Sequence, residues 1–135
     1  FMADQFIKYV DFFSIGTNDL SQYTLAVDRG NENINNLYNN FNPAVLRAIK
    51  HVIDQSHKAG KWTGMCGQFA SDTEATKLLL GLGLDEFSAS SSKVAEVKDT
   101  ILKSNLKEEE EFSNSLLELE TVEEIEEKIK NHNNM

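Results

Sequence analysis

Cysteine, proline and tryptophan each occur once in the 135 residues, and histidine three times. A single cysteine, Cys66, excludes an intrachain disulfide and leaves no set of thiolates for a structural zinc. Basic residues are outnumbered: 13 Lys and Arg stand against 22 Asp and Glu, for a formal net charge of -9. That balance argues against nucleic acid, whose binding depends on Lys and Arg displacing counterions. It also argues against an anionic membrane surface. No apolar run approaches the roughly 20 residues that span a bilayer. Residues 1–9 lack the basic start, apolar middle and small-residue cleavage site of a signal peptide. A cytoplasmic location is the resulting expectation.

What remains is a globular composition. The chain is 40% hydrophobic and 26% charged, too apolar for intrinsic disorder. Its length suits one domain, or part of one, with a core of useful size. Much of the acid is concentrated in residues 108–111 and 118–127, which read as a solvated helical face. Residues 4–10 have the pattern of the last turns of an amphipathic helix entered midway, as if residue 1 were not a natural start.

The elements alternate. Residues 11–15 are a short apolar segment of the kind covered on both faces in a parallel sheet. Asn42-Pro43 opens a helix, with Asn as cap and Pro at the first helical position. Val45, Ile49, Val52 and Ile53 form its core-facing stripe, and Gly60 stops it. A second strand is expected over 62–66. Ser71-Asp72-Thr73-Glu74 has the spacing of a capping box, leading into a helix with Ala75, Leu78, Leu79 and Leu82 that ends at Gly81 or Gly83. Residues 85–89 are a third strand candidate. Ser90, Ser91 or Ser92 is the expected cap of the helix carrying Val94, Val97, Ile101 and Leu102. Beyond these, Phe112, Leu116 and Leu119 mark one helix, and Thr121-x-x-Glu124 caps another bearing Val122, Ile125 and Ile129. Residues 131–135 are expected to fray.

Three strand–helix units in succession are the grammar of a parallel sheet, open or closed into a barrel. Three parallel strands alone would leave two unpaired edges, which soluble proteins avoid. The chain therefore reads as a piece of a larger sheet or barrel. In such folds ligands bind beyond the C-terminal ends of the strands, which singles out Thr17-Asn18-Asp19, Cys66-Gly67-Gln68 and residues 88–92. Each has a plainer reading. Asp19 could cap a helix beginning at Leu20-Ser21-Gln22, Asn18 could be a turn residue, and Arg29 before Gly30 could be a surface turn. Cys66 could be a small buried hydrophobe. His51, His57 and His132 have no metal-ligand spacing and read as surface residues.

The stretch from Phe12-Phe13-Ser14-Ile15-Gly16-Thr17-Asn18-Asp19 to Ala26-Val27-Asp28-Arg29 resembles the signature of the PEP-utilising enzymes. Gly64-Met65-Cys66-Gly67 matches that family's second motif at a compatible distance. Ala26-Val27-Asp28-Arg29-Gly30-Asn31 and Gly60-Lys61-Trp62-Thr63-Gly64-Met65 resemble the enzyme I branch more than the dikinases and PEP synthases. The resemblance implies an α/β fold in which residues 1–104 are the last three βα units of a PEP-binding (β/α)8 TIM-type barrel. Residues 105–135 would then be an acidic C-terminal helical appendage. It also implies a phosphotransferase of sugar uptake, a Mg2+ cofactor and a homodimer formed through the barrel. By motif matching, Asp19 is the metal ligand and Asn18 and Arg29 contact PEP. Cys66 is the acid that protonates the enolate carbon as PEP becomes pyruvate. The phosphoryl group passes to a histidine on a separate domain, and from there to a small phosphocarrier protein.

Those roles suit the residue types. A hard cation takes carboxylate oxygen, guanidinium forks onto phosphate or carboxylate, and a thiol can donate a proton and recover it. Two departures stand out. Gln68 replaces the Glu that usually follows Cys-Gly in the family. The histidine domain, the early barrel strands, their arginines and a second acidic ligand are all absent from these residues. The isolated chain is therefore expected to be inactive. A silent binding or assembly module on the same scaffold, or part of a related dikinase or PEP synthase, is the alternative.

Overall fold

A computed structural model describes residues 1–134. Three parallel strands, β1 (Phe12–Gly16), β2 (Trp62–Cys66) and β3 (Glu86–Phe87), lie in the order β1-β2-β3. The register runs from Phe12 opposite Trp62 to Gly16 opposite Cys66, and Gly64 faces Glu86. β3 is shorter than expected, yet Asp85 N–H to the Thr63 carbonyl (3.0 Å) and Ser88 N–H to that of Met65 (2.9 Å) extend its attachment on both sides.

Side chains alternate across a strand, and here the two faces differ sharply. Ile15, Thr63 and Met65 are buried. Phe12, Trp62 and Cys66 are exposed, Phe12 and Trp62 at 45% and 40%, stacked with ring centroids 4.1 Å apart. The expected coverage of β1 on both faces is thus not met. Helices supply the core on one side; on the other, among the described residues, Phe12, Trp62 and Cys66 stay exposed.

The chain begins with a single helical turn, α1 (Ala3–Phe6), in which Ala3 is buried. Helix α2 (Thr17–Leu25) follows β1, and α3 (Pro43–Lys58) precedes β2. The Asn42 side chain accepts from Ala44 N–H at 2.9 Å, as a cap should. At the other end Gly60, with φ +69°, donates to His57, and Lys61 donates to Ser56, closing a Schellman turn. Val45, Leu46, Ile49 and Ile53 are fully buried.

Helix α4 (Thr76–Gly81) is not opened by the expected Ser71 box. Its cap position is Ala75, with no side-chain cap; in the turn before it the Asp72 carboxylate accepts from Glu74 N–H (2.9 Å) and the Asp72 carbonyl from the Thr76 hydroxyl (3.1 Å). The Ser71 hydroxyl is turned to Ser90 N–H. Likewise no serine side chain caps α5 (Val94–Lys103); the Ser90 carbonyl receives Lys93 and Val94 N–H.

The acidic segment forms α6 (Leu106–Leu116) and α7 (Val122–Asn133), and its inner faces share the core through Leu116, Ile125 and Ile129. Helix α6 crosses α4 at Gly81, where any Cβ would run into the Glu109 carbonyl and the Ser113 hydroxyl. The Ser113 hydroxyl donates to the Leu78 carbonyl at 3.0 Å. Arg47 reaches over from α3 and donates to the carbonyls of Leu117 and Leu119. The Thr121–Glu124 capping box forms as expected, and its hydrogen bonds hold the Glu124 carboxyl below its ordinary range.

His132 is a correction. It is half-buried, 2.6 Å from Glu109, and stacked on Phe112. Glu109 itself is 4% exposed, so the acidic run is not wholly a solvated face. Helix α7 continues to Asn133, past the expected fraying, while Met135 lies outside the described residues.

Candidate active site

Because Gly16 pairs with Cys66, the chain leaves β1 and β2 side by side at their C-terminal ends. Helix α2 starts directly at Thr17, with Gly16 at the cap position and no side-chain cap. Asp19 therefore does not cap the helix. It is an exposed carboxylate in the first turn, where the helix dipole favours negative charge.

Thr17 is fully buried, and its hydroxyl donates to the Cys66 carbonyl at 3.2 Å. Gly67 follows with φ +100°; a Cβ there would stand 2.9 Å from Thr17 Oγ1 and 3.4 Å from Asn18 Oδ1. Only glycine meets both demands. Among the described residues Asn18 Oδ1 is buried without a hydrogen-bond partner, a state that native interiors seldom leave unanswered. The Tyr38 hydroxyl donates to the Asn18 carbonyl at 3.4 Å. Cys66 is a free, exposed thiol, which overturns its reading as a small buried hydrophobe.

Arg29 lies beyond the far end of α2, which rises about 1.5 Å per residue. Ala26 at φ +54° ends the helix, and buried Val27 pins the segment after it. Arg29 is exposed. Its backbone N–H donates to the Gln22 side chain at 3.3 Å, and among the described residues its guanidinium makes no hydrogen bond or ion pair. The structure thus joins Asn18 to Cys66 through Thr17 and Gly67, with Asp19 next along. Among the described residues Arg29 makes no hydrogen bond to them; Ser88 lies beside them, its N–H on the Met65 carbonyl at 2.9 Å, while Ser90 and Ser92 pair with each other at 3.1 Å.

Among the described residues no group of three or more His, Cys, Asp or Glu side chains could hold a metal. Mg2+ takes one or two carboxylates and completes its shell with substrate and water oxygens. Asp19 fits as one ligand of such an ion and does not by itself make a site. Two concavities of about 310 and 580 Å3 share Phe1, Leu20 and Val52 and are largely apolar.

Sequence reasoning passed over Thr17 and Tyr38 as functional side chains. Thr17 stood inside the singled-out stretch, but its partner is 49 residues away, a pairing no local pattern encodes.

Comparison with known proteins agrees in extent with the folded units. Residues 1–106 match the family described as PEP-utilising enzyme, PEP-binding domain. The chain is 56% identical over 124 residues to the phosphoenolpyruvate-protein phosphotransferase of Buchnera aphidicola subsp. Schizaphis graminum. It is 57% identical over 122 residues to that of Haemophilus influenzae and 53% over 124 to that of Bacillus subtilis. These alignments cover 90% or 92% of this chain and 21% or 22% of the relatives, so the chain spans about a fifth of their length.

Proposed function

The chain belongs to the PEP-utilising enzyme family through its PEP-binding domain, and on that premise we propose that it is the C-terminal part of a PEP-protein phosphotransferase. It would be the last three βα units of a (β/α)8 barrel, whose remaining strands pair with the free edges of β1 and β3 and close the barrel over the open sheet face. The observation that carries the reading is the junction of Asn18, Gly67 and the exposed Cys66 thiol at the ends of adjacent parallel strands. Ligands bind at that rim in such barrels.

In this reading Asn18 and Arg29 hold PEP, Arg29 by its fork of donors on phosphate or carboxylate. Asp19 would be one ligand of a Mg2+ ion, which would supply neutralisation of phosphate charge. The phosphoryl group leaves PEP for a histidine outside this chain and then passes to the phosphocarrier protein of sugar uptake. The enolate left behind takes a proton at carbon from Cys66 Sγ–H, giving pyruvate, and the thiolate regains a proton from solvent. Phosphoryl transfer depends chiefly on positioning and charge neutralisation, so a half-site is not enough. The family's homodimer is part of the same proposal.

The test is transfer of labelled phosphate from PEP to the carrier, with Mg2+. The full-length protein that contains this chain labels the carrier, and residues 1–135 alone do not. Absence of transfer by the full-length protein would leave only a silent scaffold, and labelling by the isolated chain would remove the claim that the facing wall is required.

A further inference from the structure

Thr17 sits where the two halves of the candidate site touch. Its side chain has no exposure, and its hydroxyl spans from the first turn of α2 to the last carbonyl of β2 at 3.2 Å. The hydrogen of Gly67 faces the same oxygen, since a Cβ there would approach it to 2.9 Å. Threonine is stiff about its first side-chain torsion, so a buried hydroxyl with one partner holds a defined direction. Cys66, whose carbonyl it grips, carries the exposed thiol.

We propose that Thr17 is a positioning residue for proton transfer at Cys66: its buried hydroxyl locks the Cys66 carbonyl and so aims the thiol at the substrate carbon. The inference rests on the reading of Cys66 as the proton donor. A general acid must lie within hydrogen-bond reach of the atom it protonates, and misplacement by about 1 Å costs on the order of 100-fold in rate. Removing the hydroxyl takes away a side-chain hydrogen bond to the carbonyl at the base of the thiol, while Asn18 and Arg29 still bind PEP. The loss therefore falls on the chemical step rather than on substrate affinity.

Thr17→Val keeps the branched shape and removes the donor; Thr17→Ser keeps the donor and removes the methyl group. In the full-length protein, with PEP, Mg2+ and carrier, Thr17→Val lowers kcat for pyruvate formation about tenfold and leaves KM for PEP within about twofold. Thr17→Ser stays within about threefold of the parent in kcat. A folded Thr17→Val with parental kcat, or with its loss confined to KM, overturns the proposal. Should Thr17→Val not fold, the serine variant decides: near-parental kcat supports the hydroxyl, and a tenfold loss overturns it. Cys66→Ala, run in parallel, separates the two claims. Full activity in that variant defeats the reading of the site itself, whereas an inactive Cys66→Ala beside a fully active Thr17→Val defeats only the role of Thr17.

Discussion

At the end of β2 the Cys66 thiol is free and exposed, and the residue two further on is an amide, Gln68, also exposed. A carboxylate at position 68 would oppose a second negative charge beside it. Gln68→Glu is accordingly expected to slow alkylation of Cys66 by iodoacetamide at pH 7 by a factor of about 3; equal rates would show that position 68 does not sense the thiolate. Gly67→Ala places a side chain at φ +100° and against Thr17. A left-handed non-glycine residue costs roughly 1–2 kcal/mol, so denaturant unfolding should show at least that loss, and an unchanged midpoint would mean that the turn relaxes freely. Asn18, Asp19 and Cys66 were legible as candidates because each lies at or just past the C-terminal end of an apolar strand. Their geometry was not, since it depends on which strand ends meet. His132 shows the same limit: its partner Glu109 lies in an acidic run that looked wholly solvated.

Several helix boundaries with a local capping partner were legible. Asn42, Gly60 and the Thr121–Glu124 box behave as their spacing indicates. Ser71 does not, because Ser90, far along the chain, draws its hydroxyl away. Arg47 over the end of α6 and the crossing at Gly81 are equally non-local. Gly81→Ala should separate α4 from α6, because the Glu109 backbone cannot yield as a flexible side chain can. Hydrogen exchange in α6 and α7 should rise well above that in α3, and unchanged protection there would contradict this account of the packing. The Glu124 carboxyl is held low by the Thr121 hydroxyl and the N–H groups of Glu120 and Thr121. A lowered carboxyl adds stability above its unfolded pKa and loses it as pH falls through its folded value. The stability gap between the parent and Glu124→Gln should therefore be present at pH 7 and shrink in acid, as thermal melts across pH 2–7 can read. A gap independent of pH would assign the effect to something other than the ionised box.

For the whole molecule, the decisive feature is asymmetry of the sheet. One face is sealed by helices while the other shows Phe12 stacked on Trp62, and β1 pairs on one edge only. An uncovered edge and an apolar face invite association. The isolated chain should therefore sediment as larger species with rising concentration, its single tryptophan reporting burial by a blue shift of emission. A chain that stays monomeric, cooperatively folded and red-shifted at all concentrations would mean that the open face is tolerated. No described helix is long and apolar enough to cross a membrane. The alternation of strands and helices disclosed the parallel sheet, but the openness of one face depends on what lies beyond this chain. The central claim is that these residues supply the proton-donating wall of a PEP site. It is tested most directly by pyruvate formation from PEP in the full-length protein carrying Cys66→Ala. A fall in kcat of about 100-fold or more is predicted, and a parental rate would contradict it.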